Sequence, residues 1–263
     1  MDDEVDEQMN HVTATTFRWT DYDGVLFDLD GVITPTAEIH EHAWSELFAA
    51  YDFTQADYLE YVDGKPRYDG VRSFLAARDV TLPDGDPSDA PGDDTVCAMG
   101  NRKNELFNEV LERDGIAAYP GSHATLEALT RDAVPSAIVS SSKNAVPVLD
   151  AASLGDRFEV VVDGVVAADL GLNGKPAPDG YLLGAERLGV DPARTVVVED
   201  ATSGVAAGRA GRFAVVIGVD RGAGVDALLA HGATFVVADL DELLHDDPGT
   251  GSTTTDSAGG NDQ

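Results

Sequence analysis

The sequence predicts an α/β fold, a doubly wound parallel sheet with an all-helical cap inserted after its first strand. Three observations predict it. Short apolar runs alternate with helical patterns from about residue 119 to 245, and strand–helix alternation marks a parallel sheet. Those runs are mostly continuous rather than alternating, as strands covered on both faces require. Residues 36–118 break the rhythm and carry helical patterns only.

In chain order, the first strand is the run Val25, Leu26 and Phe27 within YDGVLFDLDGVIT, with Gly31 turning the chain at its carboxyl end. Helical periodicity then covers 36–51, where Trp44, Leu47 and Phe48 share a face, and 55–62, 68–78 and 101–113. The segment 81–94, TLPDGDPSDAPGDD, is rich in Pro, Gly and Asp and reads as a surface loop. Further strands are expected at 136–139, 160–162, 195–198, 214–219 and 234–237. Helices are expected at 123–132, 145–154, 178–188, 204–210 and 225–231. The resulting organisation is an acidic N-terminal extension (1–20), a core built from 21–35 and 119–247, the cap (36–118) and a low-complexity tail (248–263) expected to be disordered.

Composition narrows the function. The chain has 263 residues and 48 acids against 17 bases, for a net charge of -31; 34 of the acids are Asp, and only four of the bases are Lys. A hydrophobic fraction of 43% is enough to bury a core. Nucleic-acid backbones and anionic membranes are excluded as partners, because both contacts need Lys and Arg against phosphates. The lone cysteine, Cys97, allows neither an intrachain disulfide nor a multi-cysteine metal site. With no apolar run of membrane-spanning length and an acidic N-terminus where a signal peptide would be basic, a cytoplasmic protein is expected; a monomer is the expected state. The acid is not confined to the ends: outside 1–10 and 239–263, 36 acids still face 17 bases. Such a surface suits a salt-rich cytoplasm, where screening is short-ranged.

Four groups of residues carry candidate chemistry. Asp28 and Asp30 follow the first strand, and in a doubly wound sheet ligands sit beyond the carboxyl ends of strands. One carboxylate can be a nucleophile and the other a general acid/base or metal ligand, although Asp and Gly are also ordinary turn formers. Glu199 and Asp200 end a second strand, and converging acids could hold a hard cation such as Mg²⁺; a plain helix cap is the alternative. Ser140, Ser141, Ser142, Lys143 and Asn144 stand between a strand and a helix, where backbone N–H groups and hydroxyls favour an anion. Finally, a chain that uses Arg almost everywhere keeps Lys only at 65, 103, 143 and 175, which suggests places where a compact ammonium is needed. Together these groups suit phosphoryl transfer.

In order, Asp28-Leu29-Asp30-Gly31-Val32-Ile33-Thr34, Ser140, Lys175 and Glu199-Asp200 resemble the four motifs of the haloacid dehalogenase superfamily. The likeness is closest to its β-phosphoglucomutase-like branch, through Thr36, His40, SSSKN, GKPAPD and VVED. The resemblance implies a Rossmann-like core with a helical cap. It implies Asp28 as nucleophile and Asp30 as acid/base, with His40 coupling substrate binding to that acid/base. Mg²⁺ would be held by Asp28, the Asp30 backbone carbonyl and Asp200, with Glu199 nearby. Ser140 and Lys175 would hold the transferring phosphoryl group; Thr36, Arg67, Lys103, Asn104, Ser141, Ser142, Lys143 and Asn144 would meet the substrate or its distal phosphate. The expected partner is a small sugar phosphate, and the activity a mutase or a sugar-phosphate phosphatase. A phospho-accepting signalling module and a non-catalytic binder are the readings outside that class.

Overall fold

The protein is described by a computed structural model covering residues 12–62, 65 and 67–244; the acidic stretch 1–10 and the tail 248–263 lie outside the described residues. Its six strands are β1 (Gly24–Phe27), β2 (Ser136–Val139), β3 (Val161–Val162), β4 (Thr195–Glu199), β5 (Val215–Val219) and β6 (Phe235–Val237). All pairings are parallel, in the order β3-β2-β1-β4-β5-β6. The direction of winding reverses between β1 and β4, so a crevice opens at their carboxyl ends.

The helices are α1 (Thr36–Leu47), α2 (Gln55–Asp57), α3 (Arg67–Ala76), α4 (Val96–Asp114), α5 (Pro120–Arg131), α6 (Ala145–Ala151), α7 (Gly164–Leu170), α8 (Asp179–Leu188), α9 (Thr202–Ala210) and α10 (Val225–His231). Alternation along β1 splits its side chains between the two faces. Val25 and Phe27 join a cluster with Ile138, Val196, Val198, Leu126 and Val148, whereas Leu26 joins Val139, Val197, Tyr181, Ala185 and Val205 on the other face. All three β1 side chains are fully buried, each contributing roughly 1.5–3 kcal/mol of burial. This is why the strand carries no polar residue until Asp28.

Residues 36–118 hold helices and loops without a strand among the described residues. Trp44, Phe48, Tyr58, Val62, Val71, Phe74, Leu75 and Val96 form a separate cluster there, with Phe48 and Phe74 rings 4.1 Å apart. Ile39 and Ala43 of α1, and Phe107 and Val110 of α4, belong instead to the sheet's own cluster. The two longest helices of this region therefore span both cores.

Several local features depart from expectation. The helix read over 55–62 is one α-turn with a Thr54/Asp57 capping box, followed by a π-helical stretch, Tyr58–Val62. The helix read from 101 starts at Val96, because Thr95 caps it by accepting from Ala98 N–H. Helix α7 was not expected; Asp163 starts it by accepting from the Val165 and Val166 N–H groups. Phe17 and Trp19, placed by sequence in the extension, are buried and pack on one another, with Phe17 also against Phe235 and Trp19 against Phe27.

Candidate active site

Asp28 stands one residue beyond β1, its N–H donating to the Val198 carbonyl at 2.9 Å. The sheet ladder thus fixes its backbone. The chain then curls: Gly31 N–H donates to Thr34 O, and Ile33 and Thr34 N–H both donate to Leu29 O. Gly31 has φ +82°, and a Cβ there would collide with the Asp200 carboxylate. Only glycine satisfies both the left-handed backbone and that approach. The curl turns the Asp30 carboxylate away from Asp28 and onto two hydroxyls, those of Thr36 and Ser140, the latter at 3.3 Å.

Lys175 closes the other side. Its ammonium donates to Asp28 Oδ1, to Glu199 Oε1 at 2.6 Å and to the Val139 carbonyl at 3.2 Å. All three of its protons are placed. Burial alone would push the Lys175 ammonium down, but the Asp28 and Glu199 carboxylates outweigh it and hold it well above its usual range. Glu199 is 1% exposed; its Oε2 accepts from the Asp200 and Ala201 N–H groups, and its Oε1 also accepts from Tyr181 Oη at 2.8 Å.

Asp28, Glu199 and Asp200 bring carboxylate oxygens within 4.8 Å of one another. Burial pushes Asp28 well above the carboxylate range despite Lys175. Burial, then repulsion from Glu199, pushes Asp200 up to about 7. The cluster is short of positive charge, and its donors are all hard oxygens. Both properties fit Mg²⁺. The Asp30 side chain, bound by Thr36 and Ser140, lies outside that group. Burial pushes its carboxyl up too, in spite of the hydroxyls, which suits a proton donor.

Above Asp30, α1, α3 and α4 gather a basic surface. Lys103 is 5% exposed, with Nζ 2.5 Å from His40 Nδ1. It lies over the Trp44 and Phe107 rings at 5.4 and 5.0 Å, and His40 stacks on Phe107 at 4.5 Å. Burial, then Lys103 and Arg67, push His40 well below its usual range. Burial and Arg67 bring Lys103 down to about 7, with Asp30 pulling the other way. Lys103 Nζ and His40 Nδ1 share one hydrogen bond. Asn144 Nδ2 donates to Asn104 Oδ1 at 2.9 Å, joining α4 to the loop after β2. In that loop Ser140 Oγ accepts from Ser142 N–H and Ser142 Oγ from Asn144 N–H.

The fold therefore brings together two groups, Asp28, Lys175, Glu199 and Asp200 in one and Asp30, Thr36 and Ser140 in the other. They are coupled through the charges of Asp28, Asp30 and Lys175, with Arg67 and Lys103 beside His40 and Asn104 bonded to Asn144. Ser141 and Lys143 are exposed at the rim. Of the four lysines, 103 and 175 sit at the site; Lys65 is exposed and bonds Ser73 Oγ. Two participants went unnoticed in the sequence. Tyr181 lies six residues after Lys175, and Arg221 donates to the Gly31 carbonyl at 3.0 Å while lying 3.9 Å over the Tyr119 ring. A tyrosine on the apolar face of a helix was a usable signal for the first, since a buried hydroxyl needs a partner. No local signal marked Arg221.

Comparison with known proteins gives consistent results. Residues 22–212 match the family model for haloacid dehalogenase-like hydrolases. A β-phosphoglucomutase of Mycobacterium bovis is 48% identical over 237 residues, covering 83% of this chain and 90% of that one. Hexitol phosphatase A of Escherichia coli is 34% identical over 191 residues, covering 71% and 78%. Among solved structures, a protein described as a putative beta-phosphoglucomutase from Thermotoga maritima superimposes with TM-score 0.68 at 26% identity, covering 84% and 96%.

Proposed function

The chain belongs to the haloacid dehalogenase-like hydrolases, and from that premise we propose that it is a Mg²⁺-dependent β-phosphoglucomutase. It would interconvert β-glucose 1-phosphate and glucose 6-phosphate through a bisphosphate and an aspartyl-phosphate. The observation that carries this reading is a second group of basic side chains, Arg67 and Lys103, set apart from Lys175 and acting on Asp30 and His40, which would give two anion positions. One lies among Asp28, Ser140 and Lys175. The other lies beneath Arg67 and Lys103, which carry no ion pair among the described residues. A substrate with phosphates at both ends spans them; a monophosphatase needs only the first.

Asp28 Oδ attacks phosphorus as the bond from phosphorus to the sugar oxygen breaks, and Asp30 delivers its proton to that oxygen. The bisphosphate gives up its C1 phosphoryl group in this way and leaves as glucose 6-phosphate. In the second half the 6-hydroxyl of an incoming β-glucose 1-phosphate attacks the aspartyl-phosphate, breaks its bond to Asp28, returns a proton to Asp30 and regenerates the bisphosphate. Thr36 and Ser140 hold the Asp30 carboxyl at that position. Lys175 stabilises the charge on the transferring group. A bound Mg²⁺ at Asp28 and Asp200, with Glu199 nearby, would neutralise phosphoryl oxygens. Residues 36–118 act as a cap whose Arg67 and Lys103 grip the distal phosphate and exclude water, with His40, bonded to Lys103, coupling that grip to Asp30. Transfer to water is the second reading, favoured by the 34% identity to a hexitol phosphatase. We place the enzyme in a salt-rich cytoplasm, on its acidic surface.

The test is incubation with Mg²⁺ and β-glucose 1-phosphate, with and without a trace of the bisphosphate, followed by phosphorus NMR. Glucose 6-phosphate accumulating faster with primer supports the mutase. Inorganic phosphate without isomer assigns the phosphatase.

A further inference from the structure

Tyr181 belongs to none of the motifs, yet it is among the largest fully buried side chains. It sits on α8 with its ring edge-on to Phe213 at 6.0 Å. Two contacts tie it to the phosphoryl site. Its hydroxyl donates to Glu199 Oε1, the same oxygen that accepts from Lys175. Its ring face lies 5.0 Å from Lys175 Nζ. One side chain thus touches the ammonium directly and fixes the acceptor that orients it. A phenylalanine would fill the same space and leave Oε1 to Lys175 alone.

We propose that Tyr181 is a positioning residue for phosphoryl transfer, its hydroxyl locking Glu199 and its ring flanking Lys175 so that the ammonium stays directed at Asp28. The inference rests on the phosphoryl-transfer reading, without depending on whether a sugar hydroxyl or water is the acceptor. Lys175 donates to three acceptors about a tetrahedral nitrogen. If Glu199 Oε1 swings freely, the ammonium follows it and leaves the oxygen on which charge develops. Misplacement of an aligned group by about 1 Å costs up to about a hundredfold in rate. Substrate binding through Arg67 and Lys103 is untouched, since neither contacts Tyr181.

The experiment takes Tyr181→Phe in the full chain with Mg²⁺ present. We expect kcat to fall by about ten- to a hundredfold, with KM for the sugar phosphate unchanged within about twofold. A second readout does not require turnover. With only four lysines in the chain, ¹⁵Nζ-lysine NMR gives four signals, and Lys175→Arg identifies the fourth. Tyr181→Phe should move the Lys175 signal and hasten exchange of its protons while the other three stay in place, which also reports an intact fold. Glu199→Gln should move the same signal, and the double variant should lose no more activity than the worse single one. An unmoved Lys175 signal, or additive losses in the double variant, overturns the proposal. Should the wild type transfer no phosphoryl group from any sugar phosphate, the function reading fails, and the Lys175 signal alone decides the positioning role.

Discussion

Lys103 lies between two aromatic rings with Nζ on His40, and burial with the nearby Arg67 charge brings its ammonium from an ordinary 10.5 down to about 7. Between those two values the unfolded chain holds a proton that the folded protein has released, so stability rises with pH from about 7 to 10.5. Below about 7 the folded state carries the whole penalty of a buried, repelled cation. Lys103→Met removes that penalty and keeps the packing stem. Its melting temperature at pH 7 should exceed the wild type's by several degrees, and the gap should close as pH approaches 10, as read by calorimetry. On the proposed function the same change also deletes a charged contact to the distal phosphate and should raise KM about tenfold or more. A variant less stable than wild type at pH 7 would contradict this account. Asp28 makes the complementary case, because in the proposed mechanism its oxygen forms the new bond. Asp28→Asn should lower turnover by at least about a thousandfold while calorimetric binding of glucose 1,6-bisphosphate persists; loss of both together would assign Asp28 to folding instead.

At the scale of elements, α9 begins against the Glu199 carboxylate, and a Cβ at Gly204 would fall on that carboxylate's atoms. Two effects oppose each other in Gly204→Ala. Helix propensity favours alanine by up to about 1 kcal/mol. Displacing Glu199 breaks buried charge-assisted bonds from Lys175 and two N–H groups, each worth about 1.5–3 kcal/mol. The second effect is larger. Urea unfolding should show a net loss of about 2 kcal/mol or more, with kcat falling as Lys175 loses its anchor; a variant more stable than wild type would mean that Glu199 moves aside without cost. These elements also mark what could be read from sequence. The strands were legible to within a residue or two because each is a short apolar run buried on both faces, with Asp28 and Glu199 sitting where the runs end. Helix α7 was not, because GVVAADL directly follows the strand's own apolar residues and only the Asp163 cap separates the two. The acids of the site and Lys175 could be found from strand ends and scarcity. The Tyr181 bond to Glu199, the Arg221 bond to Gly31 and the Asn104 bond to Asn144 join residues 18, 190 and 40 positions apart. No local pattern encodes such contacts, which follow from the stacking of strand ends.

For the molecule as a whole, several of the few bases on the surface are engaged in ion pairs. Arg72 pairs with Asp69 and Asp84, Arg102 with Glu105 and Glu109, Arg113 with Asp114 and Arg194 with Asp23, all at exposed positions. Each such pair is worth at most about 1 kcal/mol, and an excess of 31 negative charges remains however the bases are paired. Repulsion across the surface should therefore dominate at low ionic strength. It should fade as the Debye length drops from about 30 Å at 0.01 M to about 3 Å at 1 M. The melting temperature should climb by about 10 °C or more between 0.05 and 1 M KCl and then level off. The buried pairs of Lys175 with Asp28 and Glu199 are shielded from solvent and should hold throughout. The proposed sugar-phosphate substrate provides an independent check, because it is itself an anion. With a cationic cleft on a neutral protein, added salt slows capture from the start. Here the far field repels while Arg67 and Lys103 attract only at close range. As KCl rises, kcat/KM should first increase, while screening removes the distant acids, and decline only once the Debye length is shorter than the cleft is deep. A monotonic fall in kcat/KM from 0.01 M upward, or a melting temperature indifferent to KCl, would reject the assignment of this charge to a salt-rich setting.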